Sequence, residues 1–182
     1  MLYKDISLDD LKNYSRVIVT GPQRSGTTIA SHIIACDLEY KHIDERQVDV
    51  RSMSKLFKVL EDTNIVVQGP CFCSQVAWID TPDTIIIMMK RDINDIVESE
   101  TRISWDEEKK ELSNYFKENG VISAVRYEMW DKYQKPNMKV PFLELSYESL
   151  KEHPLWIEKP ARSNFDRRQY MIENEEFFDE VR

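Results

Sequence analysis

Four short runs of the chain are apolar almost throughout: RVIVT (16–20), NIVVQG (64–69), TIIIMM (84–89) and VPFLEL (140–145). Apolar character that does not alternate is what a strand needs when both of its faces are covered. Between these runs lie TTIASHIIACDL (27–38), VRSMSKLFKVLED (50–62) and RDINDIVESETRI (91–103), each with apolar residues at three- and four-residue steps. That spacing predicts crossover helices. Strands alternating with helices predict right-handed βαβ units and hence an α/β fold, a doubly wound and mainly parallel sheet.

A helical insert is expected at about 104–135. Ser104 and Glu107 form a capping box for WDEEKKELSNYFKE, Asn119–Gly120 closes that helix, and VISAVRYEMWDKY (121–133) resumes the helical period before Pro136. Ser146 is placed to cap a short YESLKEH helix that stops at Pro154, and a C-terminal tail follows at about 160–182. The 182 residues fit one domain, with a core large enough to be stable alone.

Composition narrows the function classes. A net charge of −8 argues against a dedicated nucleic-acid binder, although a few placed arginines can still set the field inside a cleft. The longest aliphatic run, IIIMM (85–89), is far below the ~20 residues of a spanning helix. With a charged N-terminal stretch and three cysteines read as packing residues, the expectation is a cytoplasmic protein with no membrane contact. The sequence does not define the oligomeric state.

The chemistry begins at VIVTGPQRSGTT, where a loop from Gly21 to Gly26 joins a buried-type strand to a helix start. This arrangement aims backbone N–H groups and the positive end of the helix dipole at an anion. Glycine serves where the backbone turns through positive φ, and Ser25, Thr27 and Thr28 add hydroxyls while Arg24 adds a forked cation. A triphosphate-binding loop reads G-x4-G-K-[ST], with the lysine on the β and γ phosphates and the hydroxyl on Mg²⁺. Here Thr27 stands at the lysine position, and IVVQG ends in Gln68 rather than an acid for a metal. The loop therefore suits a ligand with less charge to neutralise at that end.

PQRSGTT resembles the P-[KR]-S-G-T-T loop of the sulfotransferases that use 3′-phosphoadenosine 5′-phosphosulfate (PAPS). Two further stretches are similar to that family. KRDINDIVESETR matches its R-[ND]-P-x-D-x-x-x-S pattern, with Arg91, Asp95 and Ser99 in register and Ile93 where proline is common. FLELSYESLKEHP is similar to its strand followed by YEDL-x-x-x-P. The resemblance spans roughly residues 16 to 155. It implies that Gly21, Arg24, Ser25, Gly26, Thr27 and Thr28 hold the 5′-phosphosulfate, that Arg91 and Ser99 hold the 3′-phosphate, and that Tyr147 contacts the nucleotide. The bisphosphate PAP would be the product, and no metal is implied. A plain reading of Arg91 and Asp95 also stands: an ordinary i,i+4 pair on a surface helix.

Sulfuryl transfer is an in-line displacement in which charge shifts onto the bridging oxygen and spreads over the sulfuryl oxygens. Arg24, the loop N–H groups and the two threonines are placed to stabilise it, arginine as an electrostatic clamp. The attacking hydroxyl or amine needs a base. The histidine that many family members carry near the second strand has no counterpart in IVVQGPCF. Applying the interval of the tyrosyl-protein branch from its loop arginine lands on Glu45, with Asp44 second; a solvated acidic turn is the plain alternative. His42 reads as a surface residue and His32 as packed or exposed. Arg162, Arg167 or Arg168 could reach the 3′-phosphate, and Trp105, Tyr115, Phe116, Met129 and Trp130 either wall an acceptor pocket or fill core. The expectation is a small PAPS-dependent sulfotransferase acting on a small-molecule acceptor. The alternatives are a non-catalytic PAPS/PAP-binding protein of the same fold and a P-loop kinase with an altered loop.

Overall fold

The computed structural model describes residues 8–45, 48, 52–102 and 120–152. Its frame is a five-stranded, all-parallel sheet of β1 (Arg16–Thr20), β2 (Lys41–Ile43), β3 (Ile65–Gln68), β4 (Thr84–Lys90) and β5 (Phe142–Ser146), ordered β2-β3-β1-β4-β5. The helices are α1 (Thr27–Leu38), α2 (Met53–Val59), α3 (Ile93–Arg102) and α4 (Val121–Met129). Doubly wound α/β architecture follows. Among the described residues no helix is long and apolar enough to cross a membrane.

Apolar runs become central strands because alternate residues feed two separate cores. Ile18, Val67, Ile86 and Met88 face one side, together with Leu56, Phe72 and Trp130. Val17, Val19, Ile85, Ile87 and Met89 face the other, against Ala30, Ile33 and Ile34 of α1. Both layers are built of buried apolar side chains. Burial pushes the Cys73 thiol up to about 11, as expected for a packing cysteine.

Several boundaries differ from the sequence reading. β2 was not anticipated: Lys41 is exposed, His42 partly so, and only Ile43 is buried, as suits a three-residue edge strand. α1 reaches it through a Schellman turn, in which Tyr40 N–H donates to Ala35 O and Glu39 N–H to Cys36 O, with Glu39 left-handed at φ +56°. α2 begins after Ser52, whose hydroxyl accepts from Lys55 N–H, rather than at residue 50. α3 begins at Ile93, because the Asp92 carboxylate accepts from Asn94 N–H and leaves Arg91 outside the helix. Ser146 accepts from Ser149 N–H as expected, but the turn it opens is a 3₁₀-helix, Tyr147–Glu152. The Ser104–Glu107 box, residues Trp105, Tyr115 and Phe116, and the tail arginines Arg162, Arg167 and Arg168 lie outside the described residues.

Within the expected insert, α4 widens into a π-helical turn at Trp130–Gln134. That extra width turns Trp130 wholly into the core and lets Gln134 Oε1 accept from Ala77 N–H at 3.0 Å. Trp130 is thus a core residue and not a pocket wall. Its Nε1–H donates to Glu144 Oε1 at 2.7 Å, while Lys135 Nζ donates to Oε2 at 2.7 Å. Burial acts to raise the Glu144 pKa, but these bonds and the Lys90 and Lys135 charges outweigh it and hold it below the ordinary value. A depressed carboxyl stabilises the fold above its unfolded pKa and loses that contribution as pH falls through the folded one. Glu144→Gln is accordingly expected to cost about 1–2 kcal/mol in urea denaturation at pH 7. The gap to wild type should close below about pH 4.

Candidate functional site

The Gly21–Gly26 loop leaves β1 at the carboxyl rim of the sheet, with Gly21, Arg24 and Gly26 at φ +148°, +66° and +95°. Arg24 is the unusual member, since a side chain at such a φ is disfavoured by about 1–2 kcal/mol. Ser25 folds the loop on itself, its Oγ–H and its N–H both donating to Pro22 O (2.6 and 3.2 Å). A Cβ on Gly21 would stand 2.9 Å from Ser25 Oγ and 3.0 Å from Met89 O, so the turn has no room for one. Gly26 caps α1 without a side chain, so no cap bond competes for the first-turn N–H groups.

Three segments distant in sequence meet at this loop. Arg24 Nε–H donates to Ser99 Oγ at 3.0 Å, and Arg91 Nη1–H donates to Arg24 O at 2.8 Å. The Arg91 guanidinium lies 4.2 Å from the centre of the Tyr147 ring, a cation–π contact, and Tyr147 packs on Gly26. Arg91 therefore turns to the loop and the tyrosine rather than forming an i,i+4 pair with Asp95. Its Nε is buried and has no hydrogen-bond partner among the described residues.

On the β3 side, Gln68 Nε2 reaches Thr27 Oγ1 and Thr28 Oγ1, both at 3.4 Å, while its Oε1 accepts from Glu45 N–H at 3.4 Å. Gln68 thus links the helix start to the end of β2, where Asp44 and Glu45 are both half-buried. His32 and His42 serve packing. His32 is buried and stacks on His42 with ring centres 3.8 Å apart, so His42 is a seam residue between α1 and β2, not a surface one. Ser31 Oγ–H donates to Thr28 O, and His42 Nε2 lies within hydrogen-bond distance of the same Oγ (2.9 Å).

Two residues at the rim were not anticipated. Tyr127 Oη accepts from Arg91 N–H at 2.9 Å and donates to Met89 O at 3.3 Å, so α4 holds the end of β4 in place. Burial pushes that phenol up to about 12, and it stays a neutral donor. Arg126 precedes it and carries a buried Nη1 with no hydrogen-bond partner among the described residues. Neither belongs to a recognisable motif; the only signal was their place on a helix that follows the third strand–helix unit.

No protein-family model matches the chain, and no curated protein matches it. Among solved structures it is similar to shikimate kinase from Acinetobacter baumannii in complex with shikimate, at TM-score 0.54 and 11% identity over 93% of this chain and 98% of that one. It is also similar to the YorR protein from Bacillus subtilis in complex with phosphorylated GDP, at TM-score 0.50 and 12% identity over 89% of this chain and 98% of that one. At such identities the likeness concerns architecture: the chain has the doubly wound, P-loop kind of α/β fold found in shikimate kinase.

Proposed function

We propose that the chain is a PAPS-dependent sulfotransferase whose loop binds the donor and whose acceptor offers a hydroxyl or an amine. The observation that carries the reading is the Arg91 side chain, fastened to the loop through Arg24 O yet holding a buried Nε–H without an acceptor among the described residues. An unmet donor on a permanent cation is expensive to bury, and a phosphate oxygen would satisfy it.

The residues present fit a nucleotide with two separate anionic ends. Gly21 to Thr28 would receive the 5′ end, with Arg24 as the clamp, and Arg91 with Ser99 would receive the 3′-phosphate. Tyr147, held by Arg91 and Gly26, stands beside both. When bound, the donor supplies an activated sulfuryl group. The chain's own part is to orient it, to stabilise the charge that shifts onto the bridging oxygen, and to take the acceptor's proton on Glu45 or, second, Asp44. A cytoplasmic setting belongs to the same proposal.

Phosphoryl transfer is the second reading, favoured by the likeness to a kinase. Against it stand Thr27 at the lysine position and Gln68 where a metal-binding acid would end the strand. Calorimetric titration with adenosine 3′,5′-bisphosphate in EDTA separates the readings. Wild type is expected to bind, and Arg91→Ala to lose several-fold to about a hundredfold, the ~1–3 kcal/mol of a charged hydrogen bond. Tighter binding of Mg²⁺-ATP than of the bisphosphate would transfer the assignment to a kinase. Labelled-sulfate transfer from PAPS to a panel of hydroxyl- and amine-bearing acceptors then distinguishes an enzyme from a non-catalytic binder.

A further inference from the structure

The proposed donor site uses Arg91 but leaves Arg126 without a task. α4 presents Tyr127 and Arg126 in succession, about 100° apart around the helix. Tyr127 is fixed to the end of β4 through Met89 O and Arg91 N–H. The helix itself packs on the turn after β3, Pro70–Ser74, and there burial raises the Cys73 pKa while the Arg126 charge opposes that rise. This turn is tied to β1 immediately before the loop, by Thr20 Oγ1–H donating to Gly69 O (2.8 Å) and Gly69 N–H donating to Val19 O (3.0 Å). In the sheet order β3-β1-β4, the strand that feeds the loop runs between the strand that leads into this turn and the strand whose end Tyr127 holds.

Arg91 and Arg126 each hold one buried donor without a hydrogen-bond partner among the described residues, Nε in the first and Nη1 in the second. A guanidinium keeps its charge at any working pH, so Arg126 cannot shed the cost of the unmet donor by losing a proton. A well-packed apolar side chain would stabilise the fold better at that position. Such a cost, on a helix that meets both the end of β4 and the turn after β3, is the mark of a binding group.

We propose that Arg126 holds an anionic oxygen group, a carboxylate or a phosphate ester, on the acceptor, over the turn that follows β3. The substrate class becomes small acidic molecules bearing a hydroxyl or amine, rather than neutral phenols or alcohols. This deepens the transferase reading above and rests on it for the word acceptor; the anion site itself is testable alone.

The test saturates the protein with adenosine 3′,5′-bisphosphate, so that the loop is occupied. Sodium acetate and inorganic phosphate are then titrated separately at constant ionic strength, with chloride as control, and the melting temperature is followed. At least one of the two is expected to raise the wild-type midpoint saturably above the chloride control, and the arm that responds names the group. Arg126→Gln is expected to abolish that rise while changing bisphosphate affinity less than about twofold. Arg126→Lys keeps the charge without the fork, and should weaken the anion response about tenfold; it also serves if Arg126→Gln does not fold. An unchanged anion response in the variants, or none to either anion in wild type, would overturn the proposal. If the bisphosphate itself does not bind, the donor reading has failed. The wild type minus Arg126→Gln difference, measured without nucleotide, then still decides the Arg126 site.

Discussion

Trp130→Ala is expected to remove about 3–5 kcal/mol of stability, the largest loss of any single truncation at the interface between α4 and the sheet. Trp130 is fully buried, meets Phe142 edge-on with ring centres 5.5 Å apart, and donates to Glu144. Truncation leaves a cavity in the core that Trp130 shares with Leu56 and Phe72, and strands a carboxylate that Lys90 and Lys135 only partly satisfy. Domains of this size have roughly 5–15 kcal/mol in total, so the variant should unfold at markedly lower urea and sit near the edge of stability at 37 °C. Trp130→Phe separates the contributions, because it keeps most of the apolar volume and removes the donor; about 1–2 kcal/mol should go with the hydrogen bond. A loss under about 1 kcal/mol for alanine would show that α4 does not depend on this anchor. The consequence reaches the site, since the same helix carries Tyr127, which fixes Arg91 N–H, and Arg126.

Which parts of this architecture the sequence displays follows from how many faces each element buries. β1, β3 and β4 are covered on both sides, and their unbroken apolar runs announce them. β2 buries a single residue at the sheet edge, so KHI carries no periodic signal and is found only through its pairing with Ile65, Val66 and Val67. Helix starts were misplaced where a polar cap was read as part of the helix: Asp92 looks like a first-turn acid, yet its carboxylate ends the preceding strand's run by capping Asn94. The inward turn of Trp130 and Gln134 depends on a π-helical register that ordinary 3.6-residue counting cannot anticipate.

The site divides in the same way. Loop residues, Arg91 and Ser99 sit at fixed steps within short motifs, and the structure brings these motifs into contact across 75 residues of sequence in the Arg24–Ser99 bond. Arg126 and Tyr127 act through tertiary placement alone. Their spacing on α4 is that of any amphipathic helix, and only the rim they meet distinguishes them. The likeness to shikimate kinase concerns the layering of strands and helices, which phosphoryl- and sulfuryl-transfer sites can share.

Gly26→Ala is expected to be the most damaging substitution within the loop itself. Two independent penalties meet there. At φ +95° an L-residue is strained by roughly 1–2 kcal/mol. A Cβ would also stand 2.4 Å from Tyr147 Cδ2 and 2.9 Å from Cε2, so the ring must move, at a further ~1–3 kcal/mol. The ring is not free to yield without effect, because the Arg91 guanidinium lies 4.2 Å from its centre and is bonded to Arg24 O. Displacing Tyr147 therefore disturbs Arg91, and the altered φ re-aims the first N–H groups of α1; together these should lower affinity for adenosine 3′,5′-bisphosphate by about 100-fold, or ~3 kcal/mol. Adding Tyr147→Ala tests the division. The double variant should recover the steric part of the stability loss but not the conformational part, giving a coupling of about 1–2 kcal/mol in a double-mutant cycle. Strict additivity would mean that Tyr147 does not rest on Gly26 in solution, and the link from Tyr147 to the loop through Arg91 would have to be abandoned with it.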